Sequence, residues 1–164
     1  MLKSISAYVL ASAAGVAVAF MLSGIFMVTE VTGTAMEPEL QEGSYVLVDK
    51  HAYTRASAVP DTGDVVAVRN HIYTEDGEGS IIIRRVAGKP GDVIEIKNDI
   101  LYVNDRPFTD HMAEPAHMDD IAEYVLGDDE VFLMSDDRRS GTDSRNEAIG
   151  TVELSSCLGK VCFK

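Results

Sequence analysis

From Ser4 to Thr29 the sequence carries no charged side chain. Within that stretch, Ile5 to Val28 would extend about 36 Å as a helix. A bilayer's hydrocarbon core is about 30 Å thick, so the segment is long enough to cross it with a little tilt. A cleaved export signal has a shorter apolar core with small residues after it. Here an A-x-A triplet (Ala11, Ser12, Ala13) lies inside the run instead of after it. The expectation is a retained single-pass anchor. Lys3 and the amino terminus precede the span and Glu30 is the first charge beyond it. Because cations favour the cytoplasmic side, residues 1–29 read as cytoplasmic start plus anchor in the plasma membrane. Residues 30–164 read as one extracytoplasmic domain.

All 27 acidic residues, and every basic residue except Lys3, follow the span, giving that part a net charge of about −14. Such a surface repels nucleic acid and anionic headgroups at long range, so nucleic acid is excluded as a partner and the lipid contact falls to the span. Export would permit a disulfide between Cys157 and Cys162. Residues five apart on a strand point to opposite faces, however, and two free, partly buried thiols are expected. His51, His71, His111 and His117 lack ligand spacing, and no nucleotide or metal motif occurs, so no cofactor is expected.

Short apolar runs broken by turn residues predict antiparallel strands. They are Tyr45 to Val48, Val65 to Val68, Ile81 to Val86, Val93 to Ile96, Ile100 to Val103, Val131 to Met134 and Val161 to Phe163. A glycine-rich loop from Asp76 to Gly79 precedes the third. Lys97-Asn98-Asp99 and Asn104-Asp105 read as hairpin turns. Met118 to Leu126 is the one helical candidate, within an excursion from the sheet between Thr109 and Asp129. The sum is a mostly β sandwich or open barrel.

Four segments stand out by turn residues and charge: Ala35-Met36-Glu37-Pro38-Glu39-Leu40, Gly63-Asp64-Val65-Val66, Arg84 to Asp92, and Ser135 to Arg145. Taken singly, each is readable as a strand entry or a solvated loop. In this order after an anchor they resemble the boxes of type I signal peptidases: S-M-x-P-T-L, G-D-x-V, K-R-V-x-G-x-P-G-D and G-D-N-R-x-x-S-x-D-S-R. The resemblance spans about residues 5 to 163. It implies a mostly β, signal-peptidase-like antiparallel fold with one N-terminal transmembrane helix. It also implies Ser-Lys dyad chemistry, in which desolvation lowers an ammonium's pKa until the amine can take the serine proton.

Here the serine position is Ala35, the lysine position Arg84, and the position of a serine that orients the lysine is Gly141. A methyl cannot attack a carbonyl, and a guanidinium keeps its proton. By resemblance Asp143 and Arg145 brace the site, and Arg85 fills the second basic position. The resemblance assigns a peptide groove to Met36, Pro38, Val66, Val68, Ile81, Ile82 and Ile83, which would receive an extended chain by strand addition. An arginine in that groove should seek a carboxylate or carbonyl partner. The expectation is a catalytically degenerate homologue that binds exported precursors. It resembles the dyad-less members that help pilus assembly beside sortases, which makes pilins and a sortase the expected protein partners. The alternative is an active serine endopeptidase removing signal peptides. That would require a different pair (Ser135, Ser140 or Ser144 as nucleophile), or a peptidase inactivated deliberately by substitution.

Overall fold

A computed structural model describes residues 2–54, 58–70 and 80–163. The loop from Asp76 to Gly79 and His71 lie outside the described residues. Helix α1, Leu2–Ile25, carries no charge beyond Lys3, and all of its residues from Tyr8 to Gly24 are exposed. It is long and apolar enough to cross a membrane. The helix stops earlier than the apolar run does, because Phe26–Glu30 is already strand β1, rich in the aromatic and β-branched residues that strands favour. Two contacts tie the helix end to the domain: the Lys50 amide donates to the Ile25 carbonyl at 3.0 Å, and Lys50 Nζ donates to the Ser23 carbonyl at 2.7 Å. A cation there meets the negative end of the helix dipole.

The remaining strands are β2 Tyr45–Asp49, β3 Val65–Asn70, β4 Ser80–Gly88, β5 Val93–Lys97, β6 Ile100–Val103, β7 Arg106–Pro107, β8 Ile121–Val125, β9 Glu130–Met134, β10 Val152–Glu153 and β11 Cys157–Phe163. They form a seven-stranded sheet, β1-β2-β11-β3-β4-β9-β10, and a four-stranded sheet, β7-β6-β5-β8. Every pairing is antiparallel. All seven expected strands are present. The hairpin turns are too: Lys97 pairs with Ile100 across Asn98 (φ 51°) and Asp99 (φ 65°), and Val103 pairs with Arg106 across Asn104 (φ 53°) and Asp105 (φ 63°). Two successive positive φ values suit the twist of a tight hairpin, and Asn and Asp tolerate them.

Met118 to Leu126 is not helical. Ile121–Val125 is β8 and pairs with β5, so the stretch from Thr109 to Asp129 rejoins a sheet instead of leaving it. The register slips between Ile94 and Ile96, which breaks the two-residue alternation. Met118, Ile121 and Tyr124 therefore all meet one apolar cluster at a spacing of three, which imitates a helix in the sequence. Cys157 and Cys162 are free; Cys157 is half-buried and Cys162 exposed. Burial pushes the Cys157 thiol up to about 11.

Three apolar clusters hold the sheets. Val65, Ala67 and Ile83 face Val31, Met36, Leu40, Val46 and Val48. Val66, Val68, Ile82 and Val86 face Val131, Leu133 and Val152 on the opposite side of the strands. Phe132 and Met134 join Ile94, Ile96, Leu101 and Leu126 against the smaller sheet. Each fully buried side chain of this kind contributes about 1.5–3 kcal/mol.

Candidate functional site

The four segments singled out in the sequence meet at one buried guanidinium. Arg85, on β4 and 2% exposed, donates through Nε and Nη2 to the two carboxylate oxygens of Asp136, each at 2.7 Å. Its Nη2 also reaches Glu39 at 3.0 Å, and its Nη1 donates to the Gly63 carbonyl at 2.7 Å. One residue from each segment thus shares a single fork of hydrogen bonds. Burial pulls the Arg85 pKa down. The bonds and charge of Asp136, with Glu39, outweigh it, so the value lies above the ordinary one.

The neighbouring Arg84 is 4% exposed and pairs in register with Val66. Its Nε donates to the Thr142 carbonyl and its Nη1 to the Ile83 carbonyl, both at 2.6 Å. Two backbone carbonyls therefore take the role foreseen for a carbonyl or carboxylate partner. Burial pushes the Arg84 pKa down; Asp143 raises it and Arg145 lowers it further. An arginine starts so far above neutrality that it stays charged.

Ala35 is 4% exposed, and its carbonyl accepts the Asp137 amide at 3.0 Å. The loop 135–145 is thus bonded to the chain on both sides, to Ala35 through Asp137 and to Arg84 through Thr142. Asp143 and Arg145 hold that loop in shape. Arg145 donates to both Asp143 oxygens at 2.8 and 2.7 Å, and to the carbonyls of Arg138 (2.8 Å) and Ser140. Asp143, fully buried, also accepts the Ser135 amide at 2.8 Å. Gly141 has open space where a Cβ would stand.

The seven groove residues do not share one surface. Met36, Ile81 and Ile83 pack with the first cluster, and Val66, Val68 and Ile82 with the one across the strands. Pro38 is exposed beside a cavity of about 370 Å³ that Glu39, His111 and Asp136 also line. What unites Ile81 to Ile83 is an edge. β9 pairs with β4 from Arg85 onward, so Ser80 to Ile83 have β3 on one side and, among the described residues, no strand on the other. Unpaired amides and carbonyls on such an edge can accept an added strand.

Comparison with known proteins places this geometry. The family model "Signal peptidase, peptidase S26" matches residues 2–164. The chain belongs to this signal peptidase family. It is 31% identical over 150 residues to signal peptidase I of Bacillus caldolyticus, covering 82% of this chain and 76% of that one. It is 30% identical over 172 residues to signal peptidase IB of Staphylococcus aureus strain N315, covering 91% and 85%. The crystal structure of a signal peptidase I from Enterococcus faecalis V583 superposes with a TM-score of 0.51 at 21% identity, over 63% of this chain and 97% of that one. That likeness shows the fold. Sequence reasoning did not single out Glu39, Asp136 or Arg138 in this family member. Their signal was a set of charges in segments with apolar neighbours, where burial demands pairing.

Proposed function

We propose that this chain is a catalytically degenerate member of its family. It would be a membrane-anchored factor, amino terminus inside, that grips exported peptides without cutting them. The observation that carries the reading is the pair Ala35 and Arg84. A methyl stands at the dyad's serine position. At the lysine position stands a buried guanidinium whose hydrogen bonds go to the carbonyls of Thr142 and Ile83. Neither can exchange a proton with a nucleophile at neutral pH. Asp143 with Arg145, and Arg85 with Asp136, keep the loop and strand in place, so the scaffold for a peptide outlasts the chemistry. The open edge at Ile81 to Ile83 is where an extended chain would add. Among exported partners the missing dyad points to pilin precursors, with a sortase as an associate.

An active peptidase is the second reading, favoured by the names of the curated relatives. Its candidate nucleophiles are poorly placed. The Ser135 hydroxyl is fully buried, Ser144 Oγ accepts the Leu133 amide at 2.9 Å, and Ser140 Oγ bonds Thr142 Oγ1 at 3.1 Å. Among the described residues none of the three hydrogen-bonds to a lysine or histidine. Lys89 lies 3.8 Å from Asp61.

Photo-crosslinking in native membranes tests the binding reading. With the photoreactive group at the exposed Pro38, exported precursors should be recovered above the level given by a non-irradiated control. Recovery of none would sink it.

A further inference from the structure

Arg138 is buried to 2% exposure, yet among the described residues its Nε, Nη1 and Nη2 have no hydrogen-bond acceptor. The two arginines beside it in the same loop are matched: Arg139 pairs with Asp137 and Arg145 with Asp143. Arg138 instead lies over the Phe108 ring, 5.6 Å from its centroid. A cation–π contact offsets only part of what a desolvated guanidinium loses. Arg138 also lines a cavity of about 790 Å³. Met118, Ile121 and Tyr124 also line it, and they pack on the same apolar cluster as Phe108. Arg138 thus borders a cavity with charged and apolar lining, and a charge-assisted bond to its desolvated guanidinium would be strong. Burial lowers the Arg138 pKa to about 10, with Arg145 adding to the fall and Asp143 and Asp136 opposing it, so the group is a cation at neutral pH.

We propose that Arg138 and this cavity form a carboxylate-binding subsite. Three observations select a carboxylate. The planar fork of a guanidinium matches a carboxylate's two oxygens. The acidic groups on the cavity wall, Asp119, Asp120 and Glu147, are all exposed and solvated, so none fills the fork. The chain as a whole is strongly negative, which disfavours free anions in bulk but leaves this buried cation as a local exception. The carboxylate belongs to a peptide, and in this the inference rests on the binding reading above. The loop that lines the cavity with Gly141, Ser144 and Arg145 is the loop that holds Arg84 through Thr142, and Arg84 is on the strand whose open edge is Ile81–Ile83.

The test uses the full chain in detergent micelles and three fluorescent heptapeptides of one apolar sequence. The first has a central Glu and an amidated end, the second Gln and an amidated end, and the third Gln and a free carboxyl end. The first or the third should bind about tenfold or more tighter than the second, and which of the two does so names the side chain or the terminus as the source. Arg138→Met should erase that preference while leaving the amidated Gln peptide bound as before. It should also melt no lower than the parent, because it removes an unmatched buried charge. Equal binding of all three peptides, with no effect of Arg138→Met, overturns the subsite and leaves the binding reading standing. If no peptide binds, that reading fails, and an acetate titration against chloride at equal ionic strength decides the subsite by itself. Acetate-dependent thermal stabilisation lost in Arg138→Met upholds it; none in either protein overturns it.

Discussion

Arg85 and Asp136 clasp one another through two hydrogen bonds of 2.7 Å, and both residues are almost wholly removed from solvent. Such a pair is weak evidence for net stability, because desolvation costs nearly what the attraction returns. Breaking one side of it is another matter. Asp136→Ala leaves the Arg85 guanidinium buried with only Glu39 and a carbonyl. It should destabilise the domain by about 3 kcal/mol, read by denaturant unfolding. A loss below about 1 kcal/mol would show that the pair does not hold the four segments together.

Arg84→Lys puts an ammonium where burial, not a carboxylate, dominates. Its folded pKa should fall below the unfolded value of about 10.4. The unfolded state then binds more protons between those two values, so stability rises with pH across that window. The melting temperature of Arg84→Lys, relative to the parent, should climb from pH 7 to pH 10. A flat difference would mean the site is wetter than its burial implies.

Two glycines separate packing from vacancy. A Cβ on Gly159 would collide with the Asp49 carbonyl, which is backbone and cannot step aside. Gly159→Ala should cost about 1–3 kcal/mol. A Cβ on Gly141 meets nothing within 4 Å. Gly141→Ser should stay within about 0.5 kcal/mol of the parent. Thermal melts of the two side by side check both.

Glu130 accepts the Gly127 amide at 2.9 Å and the Thr151 hydroxyl at 2.8 Å, and these bonds hold its carboxyl below the ordinary carboxylate range. A depressed folded value stabilises above the unfolded pKa, and that contribution is lost as pH falls through the folded one. Glu130→Gln should therefore melt below the parent at pH 6, and the gap should close as pH drops below about 4. A gap constant from pH 6 to 3 would contradict this.

Much of the architecture was legible because the seven expected strands are short apolar runs bounded by turn residues, and turn chemistry is local; two-residue strands such as Arg106–Pro107 and Val152–Glu153 carry no such pattern. The Asn98-Asp99 and Asn104-Asp105 turns stand where the sequence puts them. β8 was not legible, since an extra residue in β8, opposite Ile94 to Ile96 of its partner, made Ile121 and Tyr124 look helical. The end of α1 was hidden because Phe26 to Val28 suit lipid and sheet equally well. Ala35 and Arg84 could be read as individual residues, and the carbonyl partners of Arg84 follow from guanidinium chemistry. The opposite faces of Ile82 and Ile83 follow from strand alternation, but the open edge they share depends on where β9 stops pairing, a long-range fact. Arg138 was hidden for the same reason: nothing local says that Asp136, two residues away, is taken by Arg85 from another segment.

Cleavage of a preprotein by the purified full-length chain in detergent, followed over time, tests the central claim most directly. The parent should release no mature protein. Ala35→Ser combined with Arg84→Lys and Gly141→Ser should release some, since the hydroxyl and the desolvated amine return to one loop and strand. Time-dependent release by the parent, abolished by Ser135→Ala, Ser140→Ala or Ser144→Ala, would contradict the account.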